Sequence, residues 1–322
     1  MVSIVVAEPG SRIGFRGGVL TVWRGGETVY QVGVNEVDAL VVSTRGVSLS
    51  GDILWQLASH GIPVYLVSSR GEALAVVEPV DMNRTAETMI AQASWRISEA
   101  RRLEAARWFI EAKVRARQWL LRRLAASRRM PELRDIAYML EGALARIRVA
   151  GSLRGLLEEE ARAGRTYWNT LAGLIPGDLG FPGRHPRAGD PVNKSLDYLY
   201  ALVRSRCHTA LRIAGLNPYM GFMHVEKSGR PSLTLDYMEP YRWAAEKALL
   251  SLLASGFRPT IFMDKLDRDT RRALYSRMEE EMSRNVPGSK VTLAKAIQGD
   301  AWRLASALRS DGTYTPTIPR QG

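Results

Sequence analysis

NPYMGFMHVEKSGRPSLTLDYMEPYRW, residues 217–243, is the stretch around which the rest of the chain can be placed. It contains one histidine, His224, and two acids of interest, Asp236 and Glu239. A fully extended chain from His224 to Asp236 would span roughly 40 Å, so these side chains can meet only if the chain folds back. The glycine and proline within residues 227–231 supply the backbone angles for such a turn.

After this turn, apolar residues lead into a predicted helix on which Asp236, Glu239 and Arg242 recur at every third position. That spacing places the three side chains near one helix face. One or both acids can therefore reach a cation, with His224 completing a mixed nitrogen and oxygen ligand set. Such a set favours Mg²⁺ or Mn²⁺ over a structural zinc ion, which prefers thiolates. A solvated, salt-bridged helix face beside an unrelated loop histidine is the alternative.

Charge indicates the class of partner. The formal net charge of +12 and the sequence pI of about 10.1 predict a polyanionic partner. Membrane is the competing polyanion, but the sequence contains no apolar run of membrane-spanning length, no signal peptide and no lipidation motif. Nucleic acid is therefore favoured. The single cysteine, Cys207, excludes an internal disulfide and a thiolate zinc cluster and indicates a reducing cytoplasm. We expect Cys207 to be a small buried side chain.

Residues 1–80 predict a small β-rich domain. Short β-branched runs separated by glycine pairs at 17–18 and 25–26 are typical of strands joined by hairpin turns. We expect strands at residues 2–6, 19–23, 29–32, 39–42, 63–67 and 73–77, with a helix-like segment at 50–60. This region contains no group of side chains that suggests a catalytic or metal-binding site. We therefore expect it to pack against another copy of itself or another protein.

Residues 84–322 predict a larger all-α domain. Residues 85–127 contain no glycine or proline and form one long predicted helix; further helices are expected at 131–149, 155–174, 194–214, 243–253, 264–282 and 290–308. The long helix is strongly basic and includes Arg115 and Arg122. Solvated helix faces usually alternate in sign, so we expect part of this face to contact phosphates. Its tryptophans could stack on bases, although core packing is the more common use of aromatics at helical spacing.

Two further segments carry candidate residues. Glu158, Glu159 and Glu160 open the segment 155–174, where small residues allow a helix or substrate to approach closely. One of them could be a further ligand, but the residues alone do not choose among the three, and acids at a helix start also offset the macrodipole. The Pro/Gly/Arg loop at 181–193 contains Arg184 and Arg187 and is predicted to be cationic.

Taken together, several motifs resemble the CRISPR-associated adaptation endonucleases, the integrases that insert new spacers into CRISPR arrays. Each motif is weak alone, but the resemblance covers nearly the whole chain. The matching segments are EARAGRTYW at 160–168, DPVN at 190–193, GLNP at 215–218, GFMH at 221–224, SL at 232–233, Asp236, EP at 239–240, Arg242, and the closing segments 298–308 and 314–316. The first of these motifs selects Glu160 from the three glutamates.

The resemblance implies an α+β chain, with a β-rich N-terminal part that forms a homodimer and an α-helical catalytic part. It implies a divalent ion, Mg²⁺ or Mn²⁺, held by Glu160, His224 and Glu239. Asp236 would be an adjacent acid that supports the site. Because some family members carry Asp at the ligand position, the roles of Asp236 and Glu239 could be exchanged.

The implied reaction is phosphodiester transesterification, in which the 3′-hydroxyl of a DNA fragment attacks a target phosphate. With water as the nucleophile the same site would act as a generic nuclease or resolve branched DNA, which is the alternative function. We expect double-stranded and branched DNA to be positioned by basic residues, namely Arg115, Arg122, Arg165, Arg184, Arg187 and Arg242. Arg242 could equally hold Asp236 or Glu239 in a salt bridge. The resemblance also implies a small adaptation partner protein in a heteromeric complex, in a prokaryotic cytoplasm.

Overall fold

The computed structural model describes residues 2–67, 73–79, 85–186, 188–224 and 229–320. A β-rich N-terminal part precedes a larger helical part, which confirms the predicted fold class. The strands are β1 (Val2–Val6), β2 (Ser11–Arg16), β3 (Val19–Arg24), β4 (Glu27–Gly33), β5 (Val37–Val42), β6 (Val64–Val67), β7 (Ala73–Val77), β8 (Ile261–Phe262) and β9 (Lys265–Leu266). The helices are α1 (Gly51–Ser59), α2 (Thr85–Ile97), α3 (Glu99–Arg128), α4 (Glu132–Val149), α5 (Leu153–Ala172), α6 (Pro191–Ile213), α7 (Ser232–Met238), α8 (Arg242–Ala254), α9 (Arg268–Ser283) and α10 (Leu293–Arg309).

Two sheets form the N-terminal part. One has the order β1-β5-β6-β7, with β7 antiparallel and the other three strands parallel. The other is the antiparallel meander β2-β3-β4, in which Ile13 pairs with Val22 and Leu20 with Val32. All four glycines at 17–18 and 25–26 have positive φ, as two-residue hairpin turns require. Strand β2 was not predicted from the sequence.

The core of this part lies between the two sheets and helix α1. Buried side chains from alternate strand positions and from α1 meet there, among them Ile4, Ile13, Leu20, Leu40 and Leu57. The opposite face of the first sheet packs against Ile213 at the end of α6, and Arg212 pairs with Glu78 at 2.6 Å. The predicted domain boundary between residues 80 and 84 lies outside the described residues.

Helix α3 is the centre of the helical part and packs against α2, α4, α5 and α8. The single helix predicted over 85–127 is interrupted at Ser98, whose hydroxyl accepts a hydrogen bond from the amide of Arg101 and caps α3. A serine with extended backbone satisfies an otherwise unpaired donor at a helix start, and this explains the break. No helix in the described ranges is long and apolar enough to cross a bilayer.

Several basic residues of α3 are used inside the protein. Arg107 donates to the carbonyl oxygens of Ile147 and Ala150 at the end of α4. Arg128 donates to the carbonyls of Leu174 and Leu250, near the ends of α5 and α8. The last carbonyls of a helix have no partner within the helix and carry its negative dipole end, so guanidinium groups stabilise them. The basic face predicted for phosphate contact is therefore partly a set of internal helix caps.

The segment after α10 returns to the helical core. The backbone amide and hydroxyl of Thr317 both donate to Asp300, at 2.5 and 2.8 Å. Tyr241 donates its hydroxyl to the same carboxylate at 2.6 Å. Since Tyr241 follows Glu239 closely in the chain, Asp300 connects the closing segment to the backbone that carries a candidate ligand.

Candidate functional site

Two acidic side chains from distant parts of the chain converge on one lysine. The Nζ of Lys113, on α3, lies 2.5 Å from Oε1 of Glu160, on α5. The same nitrogen lies 2.6 Å from Oε2 of Glu239. The structure therefore brings Glu160 and Glu239 together, whereas Glu158 and Glu159 pair with the arginines Arg154, Arg146 and Arg162. Lys113 was not singled out in the sequence beyond its place on the basic helix.

Glu239 begins a 3₁₀ turn, Glu239–Tyr241, between α7 and α8. Pro240 has no backbone N–H to continue the α-helical ladder, so the chain changes direction at this point. Arg242 pairs with Oε1 of Glu239 at 2.9 Å. Burial opposes ionisation of Glu239, but the charges of Arg242 and then Lys113 outweigh it and lower the pKa of Glu239 to about 2. Glu239 is therefore a buried carboxylate that stays ionised at neutral pH.

One oxygen of this carboxylate has a single partner. Oε2 of Glu239 is buried and, within the described part of the chain, faces only the ammonium of Lys113, at 2.6 Å. A carboxylate oxygen has two lone pairs, so one of them is left for a further ligand. A carboxylate oxygen with a free lone pair is a ligand that Mg²⁺ and Mn²⁺ prefer.

His224 is held by Asp236. The Nδ1 of His224 lies 2.5 Å from Oδ1 of Asp236, and the amides of Phe222, Met223 and His224 all donate to the same carboxylate. Asp236 is fully buried, and its oxygens are occupied by these donors. A carboxylate bonded to Nδ1 fixes the ring and leaves Nε2 for a metal, as in many metal sites. The geometry favours Asp236 as the support of His224 and Glu239 as the acid that faces a cation.

The backbone before His224 is anchored on three sides. Gln92 of α2 donates to the carbonyls of Asn217 and Met220, and Arg102 of α3 donates to the carbonyl of Phe222. A Cβ at Gly221 would lie 2.7 Å from the backbone of Ser232 and 2.8 Å from Oδ2 of Asp236, so only glycine allows the segment to approach α7 this closely. Of the predicted turn at 227–231, residues 227 and 228 lie outside the described residues, and Gly229 has φ of +72°.

These residues form two separate clusters. Glu160 and Glu239 are joined through Lys113, and His224 is joined to Asp236. In the described part of the chain, no three His, Cys, Asp or Glu side chains are gathered closely enough to hold an ion as they stand. The residue types fit a divalent ion, but the carboxylates are closed around an ammonium group.

A second buried charge cluster lies one helical turn along α3. Glu246 of α8 accepts hydrogen bonds from Arg117 at 2.8 Å, from the hydroxyl of Tyr167 at 2.6 Å and from that of Tyr200 at 2.8 Å. Burial opposes ionisation of Glu246, but Arg117 and the hydrogen bonds outweigh it and lower the pKa. The guanidinium of Arg117 also stacks 4.5 Å above the ring of Tyr167. Glu246 was missed in the sequence, although it lies four residues after Arg242 on the same helix face.

The basic residues predicted to contact DNA have different surroundings. Arg242 pairs with Glu239 and lies 4.5 Å above the ring of Tyr200, which favours the salt-bridge alternative for this residue. Arg184 is only 10% exposed and donates to Asn193 and Asp197, so it positions the loop before α6. Arg165 is exposed to solvent. Arg187 lies outside the described residues.

Arg115 and Arg122 line an open cleft of about 480 Å³ between α3 and the closing segment. Trp119 and Arg320 also line it, while Arg115 pairs with Glu111 at 3.2 Å. At 100° per residue, Arg115 and Arg122 lie on the side of α3 opposite Lys113. Any phosphate contact made by these two residues is therefore on the far side of the helix from the paired carboxylates.

Comparison with known proteins identifies relatives over the whole chain. Residues 4–280 match the family described as CRISPR associated protein Cas1. The CRISPR-associated endonuclease Cas1 of Hyperthermus butylicus is 36% identical over 98% of this chain and 98% of its own length. A second relative of that description, from Pyrobaculum aerophilum, is 34% identical over 74% of this chain and 78% of its own length.

Solved structures share the fold at lower sequence identity. A casposase bound to an integration product superposes with a TM-score of 0.79, at 23% identity over the full length of both chains. A chain of a partial Cas6-RT-Cas1–Cas2 complex superposes with a TM-score of 0.81, at 19% identity over 96% of each chain. With the family match covering most of the sequence, the conclusion is that this chain belongs to the Cas1 family of CRISPR-associated proteins.

Proposed function

We propose that this chain is a metal-dependent DNA endonuclease and integrase of CRISPR adaptation, which joins 3′-hydroxyl ends of DNA to the CRISPR array by transesterification. The observation that carries the proposal is the convergence of Glu160 and Glu239 on one cation position. Its relatives are named CRISPR-associated endonucleases, and a structural neighbour is a casposase bound to an integration product.

The candidate ligands for Mg²⁺ or Mn²⁺ are Glu160, Glu239 and Nε2 of His224. Oε2 of Glu239, which has one lone pair left beside Lys113, and the histidine held by Asp236 fit such an ion. When bound, the ion would supply Lewis-acid stabilisation of negative charge on a phosphoryl oxygen. The protein contributes geometry: Asp236 orients the ring of His224, and Arg242 holds the carboxylate of Glu239.

The partners we propose are double-stranded and branched DNA, a second copy of this chain and a small adaptation protein. A strongly basic chain favours DNA through its phosphates. Apolar side chains exposed on the N-terminal part, including Val29, Trp55 and Leu74, offer surface for a homodimer. A neighbouring structure is a Cas1–Cas2 complex, which supports a heteromeric partner.

The test is strand transfer with substituted acids. In Glu160→Gln, His224→Asn and Glu239→Gln, we expect joining of a 3′-hydroxyl oligonucleotide to a target duplex with Mn²⁺ to fall at least about a hundredfold, because charge stabilisation is lost. DNA affinity, measured by gel shift at fixed salt, should stay within about twofold, since the phosphate contacts are untouched.

The matched control is Glu158→Gln, because Glu158 is exposed and its ion-pair partner among the described residues is Arg154 on the same helix. Joining activity that survives in any of the three site variants would remove that residue from the site. If the wild type cleaves DNA but forms no joined product, the function is that of a plain nuclease and not of an integrase.

A further inference from the structure

Lys113 has no role in the proposed chemistry, yet its ammonium occupies the point where the two carboxylates meet. It lies 2.5 Å from Glu160 and 2.6 Å from Glu239, and its side chain is only 12% exposed. An ammonium is a compact charge on a flexible stem, and burying it is costly unless it is paired. Here it is paired twice, with the two acids that are the candidate oxygen ligands.

Two carboxylates at this separation repel each other when no cation lies between them. A single positive charge removes most of that repulsion, and Lys113 supplies it from within the chain. A divalent ion placed between the same two carboxylate oxygens would take the point that the ammonium holds, and the two positive charges would repel each other. The two cations therefore compete for this point.

The surroundings determine where a displaced lysine can go. Lys113, Val114, Leu140 and Ala163 line a void between α3, α4 and α5 that is too narrow to admit a water molecule. This void has no room for a displaced ammonium, so the four-carbon stem of Lys113 must turn away from it.

We propose that Lys113 is the resident counter-ion of the metal site. It holds Glu160 and Glu239 together while no divalent ion is bound, and it leaves them when Mg²⁺ or Mn²⁺ binds. Metal affinity is then set by competition with an ammonium of the same chain. The inference rests on the proposed metal site. The test therefore includes variants that address the counter-ion role and the metal site separately.

The full-length protein is first freed of metal with a chelator. Binding of added Mn²⁺ is then measured from the electron paramagnetic resonance signal of the free ion. In Lys113→Met we expect Mn²⁺ to bind about tenfold more tightly, because the competing charge is gone. Lys113→Arg should bind about as weakly as the wild type. The metal-free Lys113→Met protein should melt at a lower temperature than the wild type, and Mn²⁺ should restore it.

Lys247→Met is the matched control. Lys247 meets the buried Glu281 at the same 2.5 Å, but in a cluster that contains no candidate ligand. Its replacement should leave Mn²⁺ affinity unchanged. Lys113→Gln, which keeps a polar side chain, provides a second variant with the same expected gain in affinity.

The outcomes separate the two proposals. Unchanged or weaker Mn²⁺ binding in both neutral Lys113 variants overturns the counter-ion role while the metal site stands. If Glu239→Gln binds Mn²⁺ as tightly as the wild type, or the wild type binds none, the metal site itself fails and the counter-ion role fails with it. A neutral variant that melts early but gains no stability from Mn²⁺ shows only a structural salt bridge and also overturns the inference.

Discussion

Helix α3 presents two cations to buried carboxylates one turn apart, and the two clusters are built differently. Arg117 meets a single carboxylate, Glu246, which also accepts two tyrosine hydroxyls and is fully buried. Lys113 meets two carboxylates, one of them 23% exposed and the other almost fully buried. In the first cluster both oxygens of the one carboxylate accept hydrogen bonds, although Nε of Arg117 has no partner in the described part of the chain. In the second cluster two carboxylates share one ammonium.

The choice of cation matches this difference. The guanidinium of Arg117 is planar and stacks on the rings of Tyr167 and Trp168, so it is fixed in position. The ammonium of Lys113 has no such stacking contact in the described structure and can leave by rotation of its stem. A carboxylate whose two oxygens both accept hydrogen bonds stabilises the fold, whereas two carboxylates that share one ammonium are suited to binding a divalent cation.

The largest expected effect tests this division directly. Glu246→Gln should lower the free energy of unfolding by about 3–5 kcal/mol, because it leaves the buried charge of Arg117 unpaired. Glu239→Gln should cost less, about 1–3 kcal/mol, because the Arg242 that loses its partner is 20% exposed and because repulsion with Glu160 is relieved. Urea unfolding in the presence of a chelator measures both. Equal losses in the two variants would show that the clusters have the same role.

A smaller effect is expected from a single hydroxyl. Tyr200→Phe keeps the ring below Arg242 and removes only the hydrogen bond to Glu246. We expect a loss of about 2 kcal/mol in unfolding free energy, as for a hydrogen bond to a charged group. Tyr138→Phe is the control, because Tyr138 is exposed. A loss in Tyr200→Phe no larger than in this control would show that this hydrogen bond to Glu246 does not stabilise the fold.

The smallest effect concerns the dependence of stability on pH. Because Arg117 and the hydrogen bonds outweigh burial, the native pKa of Glu246 lies below its ordinary value of about 4.3. A lowered pKa means that the unfolded chain binds the proton more readily. The stabilisation is therefore complete above that ordinary value and decreases as the pH falls below it.

We expect the unfolding free energy of the wild type to decrease more steeply than that of Glu246→Gln between about pH 5 and pH 3. Urea titrations at several pH values measure the two slopes. Glu158→Gln, which alters an exposed acid, should follow the wild type. Parallel curves for the wild type and Glu246→Gln would show that Glu246 does not titrate differently on folding.

The sequence predicted the fold class, most helices and the two hairpin turns, because these depend on local patterns. Strand β2 was missed because glycine and arginine interrupt its apolar alternation, and the hairpin β8–β9 because it has only two residues per strand. Cys207 is buried, as predicted. The placement of Glu160 near Glu239 followed from family resemblance, since no spacing rule joins residues so far apart.

The internal use of the basic residues could not be predicted from charge alone. Lys113, Arg115 and Arg117 look alike in the sequence. In the structure, Lys113 faces two acids, Arg117 is buried against the ring of a tyrosine, and Arg115 lines an outer cleft. The environment of each residue depends on which helix packs against its face of α3, and tertiary contacts determine that packing. Their spacing within α3 does place Lys113 and Arg117 on one helix face and Arg115 on another, but it does not say which acids that face meets.

The contact of Thr317 with Asp300 has a consequence for biosynthesis. Asp300 and Thr317 both follow every candidate ligand in the chain. The hydrogen bonds that join Tyr241, Asp300 and Thr317 are therefore completed only after all the candidate ligands have been synthesised.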